Sequence, residues 1–358
     1  MKKILIVNPF GIGDVLFTTP MIAALKAWRA DLSISFIGNA RTLPFLKNDP
    51  RLEEIFSYER DEFVAVYRRS PLAFLRQWSD FVSGLRQQGF DTAIDCSLGS
   101  PLGLALAWAG IPCRIGYDYK GRGRWLTHKV PFKGYEGRHV AQYYLDLLCH
   151  LDPAFAGASA GASFKTAIFC SQEDQAWAST FMQRHQLGAK AFVIVHPGGG
   201  ASWGGSAGLK RWPAVNFAKL ADKMIEKGAC PIILMGDQRE ISLCDEVAGA
   251  MKHKPVMAAG QASITQAAAL MCLARLVVAN DGGPLHVAVA AGAETVSVFG
   301  PVDPDVYGPY PPQGHGIVQK GLPCQPCYRH FRMSDCNHQR CLKGLLVDDV
   351  FNKIKEMI

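Results

Sequence analysis

Short runs of unbroken apolar residues alternate with amphipathic stretches along the chain. Residues 3–8, 33–37 and 92–95 read as strands, and residues 16–28, 72–88 and 139–149 as helices. The strand runs show no in/out alternation, so both faces are buried, as in a parallel sheet covered by helices. The rhythm restarts in the second half. Strands are expected at 192–196, 231–235, 276–279 and 295–299, and helices at 214–227, 239–251, 264–272 and 284–291, with a last helix at 347–358. Successive βα units joined by right-handed crossovers build a doubly wound sheet. Residues 152–163 break the pattern with small, nearly uncharged residues that suit a linker. The expected fold class is α/β, with two Rossmann-like doubly wound parallel-sheet domains facing across a cleft. Their bounds are 1–155 and 165–345, and residues 346–358 are expected to pack back on the N-terminal domain.

Composition narrows the class. A chain of 358 residues suits two domains, and 49% hydrophobic with 19% charged residues argues against disorder. The longest uncharged apolar stretch, residues 101–113, falls short of the ~18 residues that a membrane span needs. Met1-Lys2-Lys3 is followed by only Ile4-Leu5-Ile6-Val7 before Asn8 and Pro9, too short for the core of an export signal and right for a first strand. A cytoplasmic chain is the expectation, and its eleven cysteines then read as thiols or ligands rather than disulfides. The net charge of +7 suits anionic ligands and is too weak to imply nucleic acid.

Three strand-to-helix junctions carry candidate chemistry. The first, Asn8 to Val15, holds Gly11, Gly13 and Asp14; it lacks the third glycine of a dinucleotide fingerprint, where Leu16 stands instead. Asp14 suits a helix cap or a carboxylate general base. In the second, His196-Pro197-Gly198-Gly199-Gly200 leads through Ser202 and Ser206 to Lys210-Arg211-Trp212-Pro213. Loop amides, a helix start and a cation make a phosphate cradle, or else the loop is a surface feature with snorkelling side chains. The third runs Asn280-Asp281-Gly282-Gly283-Pro284-Leu285-His286; its turn amides can hold an anion, Asp281 can accept from sugar hydroxyls, and His286 either faces the ligand or is structural. The last two junctions together describe a diphosphate site, with Asp14 facing it.

Two further clusters stand apart. Residues 114–138 hold seven Lys and Arg, Arg122, Arg124 and Lys129 among them, with Tyr117, Tyr119, Trp125 and Tyr135 interleaved. They read as a solvated face, or as a cationic acceptor and membrane-surface patch with rings for sugar stacking. Cys324, Cys327, Cys336 and Cys341 follow a C-x2-C-x8-C-x4-C spacing, which leaves structural zinc, free thiols and disulfides open. The other seven cysteines mostly lie in apolar runs and are expected in the core. Asp303-Pro304-Asp305 resembles a metal motif but reads as a loop or cap.

The ordered set of motifs resembles the lipopolysaccharide heptosyltransferases, ADP-heptose-using inverting glycosyltransferases of GT-B fold. The matching pieces are Ile4-Leu5-Ile6-Val7, Gly13-Asp14-Val15-Leu16-Phe17-Thr18-Thr19-Pro20, Arg114-Ile115-Gly116-Tyr117-Asp118, His196-Pro197-Gly198, Lys210-Arg211-Trp212-Pro213, Asn280 to His286, and Val298-Phe299-Gly300-Pro301. The resemblance spans nearly the whole chain and departs at Gly282, where the family often has Ser or Thr.

The resemblance implies roles. Asp14 would be the catalytic base and Lys210 the cation near the diphosphate and transferred sugar. Asp281 would hold the donor sugar, Glu240 the ribose, and the turn through His286 the diphosphate. Arg122, Arg124 and Lys129 would meet the acceptor. It also implies ADP-heptose as donor, a lipopolysaccharide core linked to lipid A as acceptor, no metal required for catalysis, no nucleic acid, and peripheral placement at the cytoplasmic face of the inner membrane. A GT-B enzyme for another nucleotide-sugar and a non-catalytic nucleotide-sugar-binding protein are the alternatives.

Overall fold

The computed structural model describes residues 2–152, 155, 163–200, 204–228 and 230–357, with the side chains of 204–206 left aside. The chain forms two compact units, Met1–Lys165 and Thr166–Ile358. Most of the expected linker lies outside the described residues.

The first unit is built on a six-stranded parallel sheet: β1 (Lys3–Val7), β2 (Ser33–Gly38), β3 (Ile55–Ser57), β4 (Thr92–Asp95), β5 (Cys113–Tyr119) and β6 (His128–Phe132). The spatial order is β3-β2-β1-β4-β5-β6. The second sheet uses β7 (Val193–His196), β8 (Ile232–Leu234), β9 (Val256–Met257), β10 (Leu276–Asn280), β11 (Thr295–Phe299) and β12 (His315–Gln319) in the order β12-β11-β10-β7-β8-β9. Read from the far edge, the second order repeats the first. Each is the doubly wound order 3-2-1-4-5-6, with a reversal beside its first strand. The α/β class of two doubly wound parallel sheets is therefore present in both units.

Each sheet is dry where its strands are central. Ile4 to Val7, Val193 to Val195 and Leu276 to Ala279 are fully buried, and helices cover both faces. Leu102, Ala105 and Leu106 of the helix Ser100–Trp108 join the first core. The uncharged stretch at 101–113 is thus a core helix running into β5. Trp212, Phe217 and Leu220 join the second core.

The sequence places most of the central strands and misses β3, β6, β9 and β12, which lie at sheet edges, together with the inner strand β5. Edge strands are short and half-solvated, and β6 carries Pro131, which an edge tolerates because one backbone N–H need not pair. The single helix expected at 16–28 is two, Ile12–Leu16 and Thr19–Trp28. Pro20 has no N–H to offer the Leu16 carbonyl. The Thr19 hydroxyl donates to that oxygen at 2.7 Å, and the Thr18 hydroxyl donates to the Val15 carbonyl at 2.6 Å.

The C-terminal helix, Val347–Lys355, is part of the second unit. Its apolar face, Val350, Phe351 and Ile354, enters the core of the second unit, against the helix Ala214–Gly228 and β12. That unit has the apolar surface for it: Trp212 donates its indole N–H to the Leu345 carbonyl just ahead of the helix, at 3.1 Å.

Candidate active site

The loops after β7 and β10 leave neighbouring strands where the strand order of the second unit reverses. Ligands of doubly wound sheets bind outside the carboxyl ends at such a point. Asn280, at the end of β10, ties the junction together. Its amide N–H donates to the Pro197 and Gly198 carbonyls at 2.7 and 3.1 Å, and its oxygen accepts the Trp212 N–H at 2.9 Å. One buried side chain therefore holds the glycine loop, its own turn and the Lys210-Arg211-Trp212 segment together.

Lys210 and Asp281 meet inside this junction. Lys210 Nζ lies 2.6 Å from Asp281 Oδ2, and both side chains are buried. The Asp281 backbone N–H donates to the Val298 carbonyl at 3.0 Å, which seats the turn on β11. The helix Gly283–Ala290 starts there, with Pro284 in its first turn and no side chain capping it at Gly282. Its first N–H groups have no partner inside the helix and carry partial positive charge. His286 is buried on that first turn.

Glu240 sits beneath the glycine loop. Oε1 accepts the Gly199 and Gly200 N–H groups at 3.2 and 3.1 Å, and Oε2 accepts the Asp237 N–H at 3.1 Å. The residue expected at a ribose is thus buried and bonded to the loop backbone. The approach leaves room for glycine alone: a Cβ on Gly198 would stand 1.9 Å from Glu240 Oε1, and one on Gly282 would stand 2.3 Å from the Gly199 carbonyl oxygen. Gly200 has a φ of 73°, the left-handed region that favours glycine.

Cationic and neutral donors surround this carboxylate. Arg211 Nη2 and His196 Nε2 each lie 3.7 Å from it. Burial pushes the His196 imidazole below its usual range, against the opposing pull of Glu240. His196 Nδ1 and Arg211 Nε are buried, with no hydrogen-bond partner among the described residues. Buried polar atoms in native proteins are rarely left unpaired, so these two mark a place for a polar ligand. Ser202 lies outside the described residues, and Ser206 falls in the short helical segment Gly204–Lys210.

In the first unit, Asp14 is half-buried in the first turn after β1. Asn8, fully buried, donates to the Asp14 carbonyl at 3.1 Å and to the Tyr144 hydroxyl at 3.4 Å. The Tyr144 hydroxyl in turn accepts from Tyr135 at 3.3 Å. Burial, followed by the charge of Asp14, raises the Tyr144 hydroxyl well above its usual range; burial does the same for Tyr135, with Tyr144 and Asp14 adding to it. Both stay protonated and neutral beside the carboxylate. Gly13 precedes Asp14 in the same turn.

Sequence reasoning missed Asn8, Asn280 and Asp95. Asp95 ends β4 directly beside Val7 of β1, at the reversal point of the first sheet. Its Oδ1 accepts the Ser97 N–H at 2.9 Å, yet burial raises its carboxyl to about 6. A polar residue closing a buried apolar strand is the signal common to all three.

The cationic segment is only partly as expected. Arg122, Arg124 and Lys129 are exposed. Arg124 stacks 4.7 Å from the Trp125 ring centre, and Arg122 lies 5.8 Å from that of Tyr119. Arg138 instead pairs with Asp146 at 2.5 Å, and Arg114 donates to the Trp125 carbonyl at 2.6 Å. Tyr117, Tyr119 and Tyr135 are buried, which corrects the reading of them as rings free to stack on sugars. β5 is an inner strand, and its tyrosines pack with Phe132.

The cysteines fall into two groups. Cys324, Cys327, Cys336 and Cys341 are free thiols, and no group of three or more His, Cys, Asp or Glu among the described residues is placed to hold a metal ion. Cys341 is buried in the second core while Cys324 is exposed. Of the other seven, Cys96, Cys230 and Cys244 are buried, whereas Cys149 and Cys272 are exposed. Asp303 caps its short helix by accepting the Asp305 N–H at 3.0 Å.

The chain is similar to known proteins. Lipopolysaccharide heptosyltransferase 3 of Escherichia coli (strain K12) is 24% identical over 308 residues, 83% of this chain and 82% of its own. Two solved structures superpose on nearly the whole chain, each at 20% identity. The glycosyl transferase family 9 protein from Veillonella parvula has a TM-score of 0.81, covering 99% of this chain and 97% of its own. The E. coli ADP-heptose lps heptosyltransferase II has a TM-score of 0.76, covering 100% and 98%. These likenesses carry the fold, GT-B. The family model described as "Glycosyltransferase family 9 (heptosyltransferase)" matches residues 78–338, well over half of the chain. The chain belongs to glycosyltransferase family 9, the heptosyltransferases, and is a glycosyltransferase.

Proposed function

We propose that the chain transfers a heptose from ADP-heptose to an inner-core sugar of a lipopolysaccharide precursor, with inversion at the anomeric carbon. The observation that carries the reading is the buried Lys210–Asp281 pair at the reversal point of the second sheet. A fixed cation, the Arg211 guanidinium and a helix start lie together there, and a diphosphate leaving group needs such an arrangement. Family membership and the likeness to lipopolysaccharide heptosyltransferases support the donor and acceptor classes.

In this mechanism Asp14 takes the proton from the acceptor hydroxyl as its oxygen attacks the anomeric carbon. The sugar–phosphate bond breaks on the opposite face, and charge grows on ADP. Lys210, Arg211 and the N–H groups of Gly282, Gly283 and Leu285 stabilise that charge by several kcal/mol once water is excluded. Asp281 orients Lys210 and accepts from sugar hydroxyls. Glu240 and Gly198 shape the loop beneath the nucleotide, with His196, Pro284 and His286 around it. Arg122, Arg124 and Lys129 meet the phosphates of the acceptor. The reaction then takes place at the cytoplasmic face of the inner membrane; no helix among the described residues is long and apolar enough to cross a membrane.

The test is product analysis with ADP-heptose and a panel of truncated core acceptors, run beside UDP- and GDP-sugars. Heptose transfer from the ADP donor supports the reading. Turnover confined to another nucleotide-sugar overturns the donor, and ADP binding without turnover overturns the enzyme.

A further inference from the structure

The first unit carries an apolar groove of about 530 Å³ that takes no part in the site described above. It opens between the helices Arg60–Arg69, Pro71–Gln88 and Ser100–Trp108, and its walls include Phe63, Tyr67, Phe74, Leu75, Trp78 and Trp108. The volume is that of a ligand pocket. Its lining is unusual for a surface bathed in water: Tyr67, Leu75 and Trp108 are each more than half exposed, and Leu72, three positions before Leu75 on the same helix, is 80% exposed. Contiguous exposed apolar surface of this kind marks an interaction site.

Charge selects the occupant. Arg60 lines the groove, and Arg68 and Arg69 stand exposed at the end of the helix that carries Tyr67. Trp125, a further wall residue, carries Arg124 over its ring. Over residues 60–88, five arginines (60, 68, 69, 76 and 86) stand against three acids (61, 62 and 80), a net of +2. An apolar floor with exposed Trp and Tyr beside arginines complements an amphiphile with an anionic head and an acyl tail. A soluble sugar phosphate would leave Leu72 and Leu75 in water, and an uncharged apolar peptide would leave the arginines without partners.

We infer that this groove is a membrane-docking site that takes an acyl chain of an anionic bilayer, with Arg60, Arg68 and Arg69 meeting the headgroups. The inference rests on the reading of the acceptor as lipid-borne: docking here would hold the first unit at the surface where such an acceptor lies.

The experiment uses the full chain with vesicles of phosphatidylcholine, with and without phosphatidylglycerol. The wild type co-sediments with the anionic vesicles and loses binding as salt rises, and phosphatidylcholine brominated along its acyl chains quenches its tryptophan fluorescence. The Leu72→Asp/Leu75→Asp variant, whose changes lie on exposed positions, keeps its circular dichroism spectrum and binds at least about tenfold more weakly. With a deacylated, water-soluble acceptor, the variant and wild type turn over alike. Equal vesicle binding by both proteins, no binding by the wild type, or self-association of the wild type that the variant abolishes each overturns the inference. Loss of turnover on the soluble acceptor would concern the transferase reading, because vesicle binding is read without any donor.

Discussion

Lys210 and Asp281, seventy-one positions apart, form a 2.6 Å ion pair sealed from solvent at the carboxyl edge of the second sheet. Such a pair contributes little net stability, but removing one partner strands the other charge at a cost of about 3–5 kcal/mol. Lys210→Ala and Asp281→Asn are therefore each expected to lower unfolding free energy by roughly that amount and to abolish transfer. The double replacement Lys210→Met/Asp281→Leu is expected to recover most of the stability and none of the turnover. Denaturant melts and a product assay on the same four proteins check this.

Gly198 admits no side chain against Glu240. Gly198→Ala is expected to push the Glu240 carboxylate off the Gly199 and Gly200 amides, costing about 1–3 kcal/mol of stability. ADP affinity should fall at least about tenfold, since the loop that would cradle the nucleotide moves. Calorimetric titration with ADP, alongside thermal melts, reads both effects. Gly208→Ala, in the same segment but with open space around it, is the control and should change neither.

Asp14→Asn keeps the shape of the first turn and removes the base. Turnover should drop by roughly 10²–10⁴ while ADP affinity stays unchanged. A folded variant that transfers at the wild-type rate would remove Asp14 from the mechanism.

Asp95 makes stability fall as pH rises. Its folded-state carboxyl titrates near 6, above the unfolded value near 3.8, because burial penalises the charge. Between those values the folded state holds more protons than the unfolded one, so the slope of unfolding free energy with pH is negative. The stabilisation is fully present below about pH 4 and is lost as pH passes through about 6, about 3 kcal/mol in all. Asp95→Asn should abolish this component and be the more stable protein at pH 7. Urea melts of both proteins across that pH range provide the comparison.

Dialysis against EDTA is expected to leave the transfer rate and the melting temperature unchanged. The cysteines at 324, 327, 336 and 341 are free thiols in differing surroundings, and no described cluster is placed for a metal. Activity lost on dialysis and restored by a divalent ion would contradict that.

The candidate site was legible in the sequence wherever a polar or glycine residue interrupts an apolar run. Asp14, Lys210, Asp281 and the glycines of the three junctions all stand out in this way. Asn280 is adjacent to a motif and was still passed over, because an amide's role depends on which backbone groups come within its reach. Glu240 was picked out for a ligand hydroxyl; its oxygens meet backbone N–H groups forty positions upstream and three positions upstream. The tyrosines at 117, 119 and 135 read as a surface series because the segment is cationic, yet β5 holds the first two in the interior and Tyr135, beyond β6, is buried against Phe132.

Local chemistry decided the alternation of buried strand and amphipathic helix, and so the α/β class, because hydrophobic periodicity is written in neighbouring residues. It also decided where the strands at the three junctions end, since a buried strand cannot continue through Asn, Gly and Asp without leaving polar groups unsatisfied. Strand order, the edge strands and β5, the Lys210–Asp281 contact and the raised carboxyl of Asp95 came only from the tertiary structure. Each depends on segments far apart in the chain becoming neighbours, and on the loss of water when they do, which no local pattern records.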